Sequence, residues 1–95
     1  MIHYILVKWS KEVGDKAALL VKVRALYAKA KDIPGVRGVT LKPNVTPRDN
    51  RYDLMIAIDM EKDALPTWDE SALHKTWKAE YGHLVEKKAI FDSED

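Results

Sequence analysis

The stretch 51-RYDLMIAIDM-60 decides the fold. Tyr52, Leu54, Ile56, Ile58 and Met60 alternate with Asp53, Met55, Ala57 and Asp59, and a period of two marks a strand whose successive side chains point to opposite faces. One face is wholly apolar and belongs against a core. The other mixes carboxylates with Met55 and Ala57, as a cleft or a subunit interface would.

Working outward, 2-IHYILVKW-9 is rich in β-branched and aromatic residues and reads as the first strand, with His3, Ile5, Val7 and Trp9 on one face and Tyr4 and Leu6 on the other. Gly14 and Asp15 offer a turn and an N-cap. The stripe Leu19, Leu20, Val23, Leu26, Tyr27 and Ala30 then predicts an amphipathic helix over residues 15–32. That helix stops at 33-IPGV-36, because Pro34 disfavours helical geometry at Ile33. Residues 36–42 form the second strand, with a bulge at Gly38, and 43-PNVTPRDN-50 is a loop. Beyond the third strand, Asp63 is expected to cap a short helix with Pro66 in its first turn. Ser71 caps another, whose core stripe is Leu73, Trp77, Tyr81, Leu84 and Val85. Residues 89-AIFD-92 make the last strand.

The order β-α-β-β-α-β across residues 1–95 predicts a single α+β domain, a ferredoxin-like sandwich with the third strand between the first and the second. Its helices cover one face of the sheet only. The uncovered face calls for a second copy, and stacking two sheets would give a homodimer of dimeric α/β-barrel type.

Composition narrows the chemistry. The 95 residues are 46% apolar and 33% charged, with a net charge of +1, as expected for a soluble domain. The absence of cysteine excludes disulfides, a thiolate nucleophile and cysteine-ligated zinc or iron–sulfur centres. No apolar run approaches the ~20 residues of a membrane span, and the expected location is cytoplasmic. The three histidines are not at metal-ligand spacing, so neither a metal nor a cofactor is expected, and only loop carboxylates remain as hard-cation ligands. Basic residues concentrate in the first half, but interleaved strands would disperse them into a mixed solvated surface. A nucleic-acid-binding sheet would carry stacking aromatics on its central strands. The third strand offers Tyr52 alone, on its apolar face, so no nucleic acid is expected.

Taken in order, 2-IHYILVKW-9, 33-IPGV-36, 51-RYDLMIAIDM-60, 68-WDESALHKTW-77 and 90-IFD-92 resemble the stress-responsive dimeric α/β-barrel (Dabb) family along essentially the whole chain. The resemblance implies a homodimer whose sheets close into a barrel. It also implies either a stress protein or a cofactor-free catalyst, since one plant member is a polyketide cyclase. The family commonly has His-Pro-x-His before its last long helix. Here 71-SALH-74 aligns His74 with the second histidine, while Ser71 and Ala72 replace the first histidine and the proline. Trp68 stands where the cyclase has a tyrosine, and an indole donates a hydrogen bond without shuttling a proton as a phenol can. His3 matches a histidine common at the start of the family's first strand.

Helical geometry separates the histidines of 71-SALHKTWKAEYGHL-84. At about 100° per residue, His74 lies on the side of Trp77 and Tyr81, and His83 lies about 180° away, facing solvent. His74 is the third residue after the Ser71 cap, where a neutral imidazole would suit a general base that removes a proton next to a carbonyl. It would equally suit a structural histidine that fills the core. Trp68 and Tyr27 are the expected ligand contacts, with His3 a further one. Asp53 should lie beside Trp9, about 20 Å from His3, so the two do not belong to one site. Asp53 and Asp59 read as ion-paired carboxylates. The functional expectation is a binder of a small, largely apolar carbonyl or polyketide-like ligand, with His74 as base in cyclase, isomerase or oxygenase-like chemistry. The alternative is a non-enzymatic stress or assembly homodimer with a structural His74.

Overall fold

A computed structural model describes residues 1–94. Its elements run β1 (Ile2–Trp9), α1 (Lys16–Tyr27), β2 (Val36–Pro43), β3 (Leu54–Met60), α2 (Leu65–Asp69), α3 (Ala72–Tyr81) and β4 (Val85–Ser93). The sheet order is β2-β3-β1-β4, with every neighbouring pair antiparallel. This is the ferredoxin-like α+β architecture anticipated from the strand pattern, with β3 between β1 and β2.

Alternation in β1 and β3 does the packing. Ile5, Val7 and Trp9 of β1 and Leu54, Ile56, Ile58 and Met60 of β3 are buried beneath the helices, together with Leu19, Val23 and Tyr27 of α1 and Trp68, Leu73 and Trp77. The opposite face carries Tyr4, Leu6, Met55 and Ala57, and no helix covers it. Register shifts between Val36 and Gly38 place a bulge where Gly38 suggested one.

The helices differ from the sequence expectation in extent. Asp15 caps α1 by accepting from the Ala18 amide at 2.9 Å, but α1 ends at Tyr27 rather than running to residue 32. From there Lys29 N–H bonds the Leu26 carbonyl and Asp32 N–H the Lys29 carbonyl, the tighter i→i+3 pattern of a 3₁₀ turn. Asp63 caps nothing: it lies inside a 3₁₀ turn, Lys62–Ala64, that runs into α2 without a side-chain cap. α3 stops at Tyr81, and Leu84 belongs to a further turn. β4 is longer than residues 89–92, because Lys87 and Lys88 pair with Lys8 and Val7 despite their charge. On an edge strand such lysines stay solvated and discourage pairing with other chains.

Candidate active site at one end of β1

β1 is central, so its first residues meet both neighbours. His3 pairs with Ile58 of β3 on one side and Asp92 of β4 on the other. Its imidazole, only 6% exposed, donates from Nδ1 to Asp92 Oδ1 at 2.5 Å. A carboxylate that accepts at Nδ1 fixes the neutral ring's lone pair on Nε2 and supports the ring when it gains a proton.

His74 arrives from the other layer. Ser71 Oγ accepts the His74 amide at 3.1 Å and itself donates to the Trp68 carbonyl at 2.8 Å, which fixes the turn between α2 and α3. The His74 ring donates from Nδ1 to the Asp69 carbonyl at 3.0 Å. A carbonyl oxygen only accepts, so this ring too carries its proton on Nδ1 and leaves Nε2 basic. Neither Nε2 has a partner among the described residues.

Both imidazoles line one cavity of about 290 Å³ at the β4 edge, with Ile5, Leu65, Trp77 and Ile90 as its apolar wall and Lys78 and Lys88 as its cations. Behind the rings stands an aromatic stack. Trp68 lies 6.5 Å from His3, 5.3 Å from His74 and 5.9 Å from Tyr27, centroid to centroid. Tyr27 and Trp68 are both 0% exposed and form no part of the cavity wall, and Tyr27 Oη and Trp68 Nε1 are buried without a partner. Burial without a compensating donor pushes the Tyr27 phenol far above its ordinary value, so it stays protonated.

Thirty-eight chains of solved structures match this architecture, whereas no family model and no curated protein matches the sequence. A Dabb family protein with a ferredoxin-like fold from Mesorhizobium loti superposes with a TM-score of 0.74 at 14% identity, covering 99% of this chain and 94% of that one. The chain has the fold of a Dabb protein. A dimeric ferredoxin-like protein of unknown function from Thermobifida fusca aligns over 95% of this chain and 85% of its own, at 15% identity and a TM-score of 0.79. A hydroxynitrile lyase from Passiflora edulis aligns over 99% of this chain and 94% of its own, at 13% identity and a TM-score of 0.73. At such identities the likeness is one of fold.

Within this Dabb-like frame, His3 and His74 meet at one cavity, while Trp68 and Tyr27 lie a layer deeper. His83 is exposed on the far side of its turn. Asp53 is at the other end of β1, where it accepts the Trp9 amide at 2.7 Å and pairs with Lys16 at 3.0 Å. Asp59 pairs with Arg37 at 2.8 Å, which holds its carboxyl below the usual range. Sequence reasoning missed Asp92. It was legible: an antiparallel β4 beside β1 sets the end of the last strand against the start of the first, and Asp92 is the carboxylate there. The lysines Lys78 and Lys88 gave no signal, since nothing in their spacing distinguishes them from solvated surface. No group of histidine and carboxylate side chains suited to a metal ion occurs among the described residues, and none of their helices is long and apolar enough to cross a membrane.

Proposed function

We propose that the protein binds a small, largely apolar carbonyl compound and moves a proton next to the carbonyl, acting as a homodimer without a cofactor. One observation carries this reading: two imidazoles from different layers line one cavity, each with Nδ1 held by an acceptor and Nε2 unpartnered. The wall offers no hydroxyl or thiol nucleophile, which favours acid–base over covalent acyl chemistry. His74 takes the proton from the carbon next to the carbonyl. His3 donates to the carbonyl oxygen from Nε2 when its ring carries a second proton as an imidazolium paired with Asp92, and the Lys78 and Lys88 charges stabilise the negative charge that develops there. Trp68 and Tyr27, fully buried behind the imidazoles, back this cavity without lining it. The volume suits a ligand near the lower limit of the ~300–1,000 Å³ typical of small-molecule sites.

The homodimer reading rests on the open sheet face and on the dimeric neighbour of the same fold. One observation favours a second functional reading, in which His74 is structural: its bond to the Asp69 carbonyl ties α3 to α2. Deuterium exchange at the carbon next to the carbonyl of phenylacetone, followed by NMR in D₂O, separates the two. Acid–base catalysis predicts that the protein accelerates exchange and that His74→Ala and Asp92→Asn, still folded, lower the rate on the order of 100-fold. If His74→Ala lowers only the melting temperature, the structural reading holds.

A further inference from the structure

The opposite end of β1, roughly 20 Å from the imidazoles at ~3.3 Å per residue, holds two cavities of opposite character. The larger, about 400 Å³, lies between the turn after β1 and the loop before β3. Lys8, Lys11, Lys16, Arg48 and Arg51 line it against only Asp53 and Glu86, an excess of three positive charges in a chain whose net charge is +1. Lys8 donates to the Asp49 carbonyl at 2.5 Å, Arg51 to Asn50 Oδ1 at 2.7 Å and Lys16 to Asp53 at 3.0 Å. The Lys11 ammonium and the Arg48 guanidinium have no partner among the described residues. Ser10, also in this wall, has a buried hydroxyl with no partner. The expected dispersal of basic residues therefore does not extend to this cavity: loop and turn bring them together, and an anion bound among them would relieve their mutual repulsion.

The smaller cavity, about 220 Å³, is an apolar slot walled by Ala17, Leu20, Pro43 and Leu54. Trp9, Lys16 and Asp53 line both cavities, so the two abut across one ion pair. That pair is anchored, because the Trp9 amide holds the second Asp53 oxygen.

We propose that these cavities form one binding site for a small amphipathic anion, with the cations taking a phosphate head and the slot taking a short apolar tail. The unpartnered Arg48 and Lys11 supply charge-assisted hydrogen bonds to the head, and the Ser10 hydroxyl gains the partner it lacks. The Lys16–Asp53 pair sits at the junction and sets where head gives way to tail. The site uses none of the groups of the His3–His74 cavity.

Calorimetric titration of the full chain with hexyl phosphate, inorganic phosphate and hexanol tests this. The expected result is saturable one-to-one binding of hexyl phosphate at least about tenfold tighter than either fragment, weakening as salt is raised. Arg48→Glu and Ala17→Leu alter exposed positions, so the fold should persist by circular dichroism. The first should weaken hexyl phosphate about tenfold by removing head contacts, and the second by a similar factor by filling the slot. His74→Ala should leave the affinity unchanged. Hexyl phosphate binding no more tightly than inorganic phosphate, indifference to Arg48→Glu, or loss of binding in His74→Ala would each overturn the proposal.

Discussion

Tyr27 shows how far single residues could be read from the chain. Helical periodicity placed its ring on the core side of α1, and the ring is fully buried between Trp68 and Trp77. Periodicity says nothing about the hydroxyl, which ends without a partner. A buried hydroxyl without a bond costs on the order of 1–3 kcal/mol, so Tyr27→Phe is expected to hold or raise stability by about 1 kcal/mol in urea denaturation. The pH dependence has a definite sign. The unfolded phenol ionises near the ordinary tyrosine value of 10.0, whereas the buried one stays protonated well above it. Above about pH 10 the unfolded state therefore holds fewer protons than the folded state, and stability falls as pH rises. The Phe variant should lose less stability than the parent between neutral and strongly alkaline solution. The same limit applied to the candidate site: the inward side of His74 follows from 100° geometry, but its Asp69 carbonyl partner depends on how the chain turns between α2 and α3.

Elements were legible where pattern and environment agreed. β3 and β1 alternate cleanly because one face meets the core, so their type and the face each side chain takes followed from period two, while the register comes from the pairing itself. β4 was under-read, since Glu86, Lys87 and Lys88 suppress a strand signal that only pairing with β1 restores. α1 was over-read, because Ala30 continues the apolar stripe although the backbone has already tightened into a 3₁₀ turn. The turn into β2 carries a sharper constraint. Gly35 has φ +85°, and a Cβ placed there would lie 2.6 Å from Ala64 Cβ. Left-handed backbone at a non-glycine residue costs on the order of 1–3 kcal/mol, and the overlap adds to it. Gly35→Ala is thus expected to lose at least about 2 kcal/mol by denaturant melting. Ala64→Gly in the same chain should recover part of that loss by removing the overlap while the backbone strain remains. A simple sum of the two single effects would contradict this account.

At the scale of the molecule, the layer order was readable because two helical segments cannot cover both faces of four strands. The uncovered face carries Tyr4, Leu6, Met55 and Ala57, and beside them Phe91 is 65% exposed, its ring 6.3 Å from Tyr4. Leu6→Asp places a charge at the middle of that face while leaving the opposite, buried face of β1 untouched. The parent is expected to sediment as a dimer at micromolar concentration and the variant as a folded monomer; a parent that stays monomeric would remove the barrel. What no pattern supplied was which charged side chains the loops gather, since the 43–50 loop has no period from which to place Arg48 beside Lys11. The central position of β1 also bears on how the molecule comes into being. Its partners lie far along the chain, with Ile2 opposite both Asp59 and Ser93. As the chain emerges from the ribosome, β1 appears first yet waits unpaired until β3 and then β4 follow, and contacts of such separation close slowly. His3 meets Asp92 across 89 positions, so this pair is complete only once the last strand has been made.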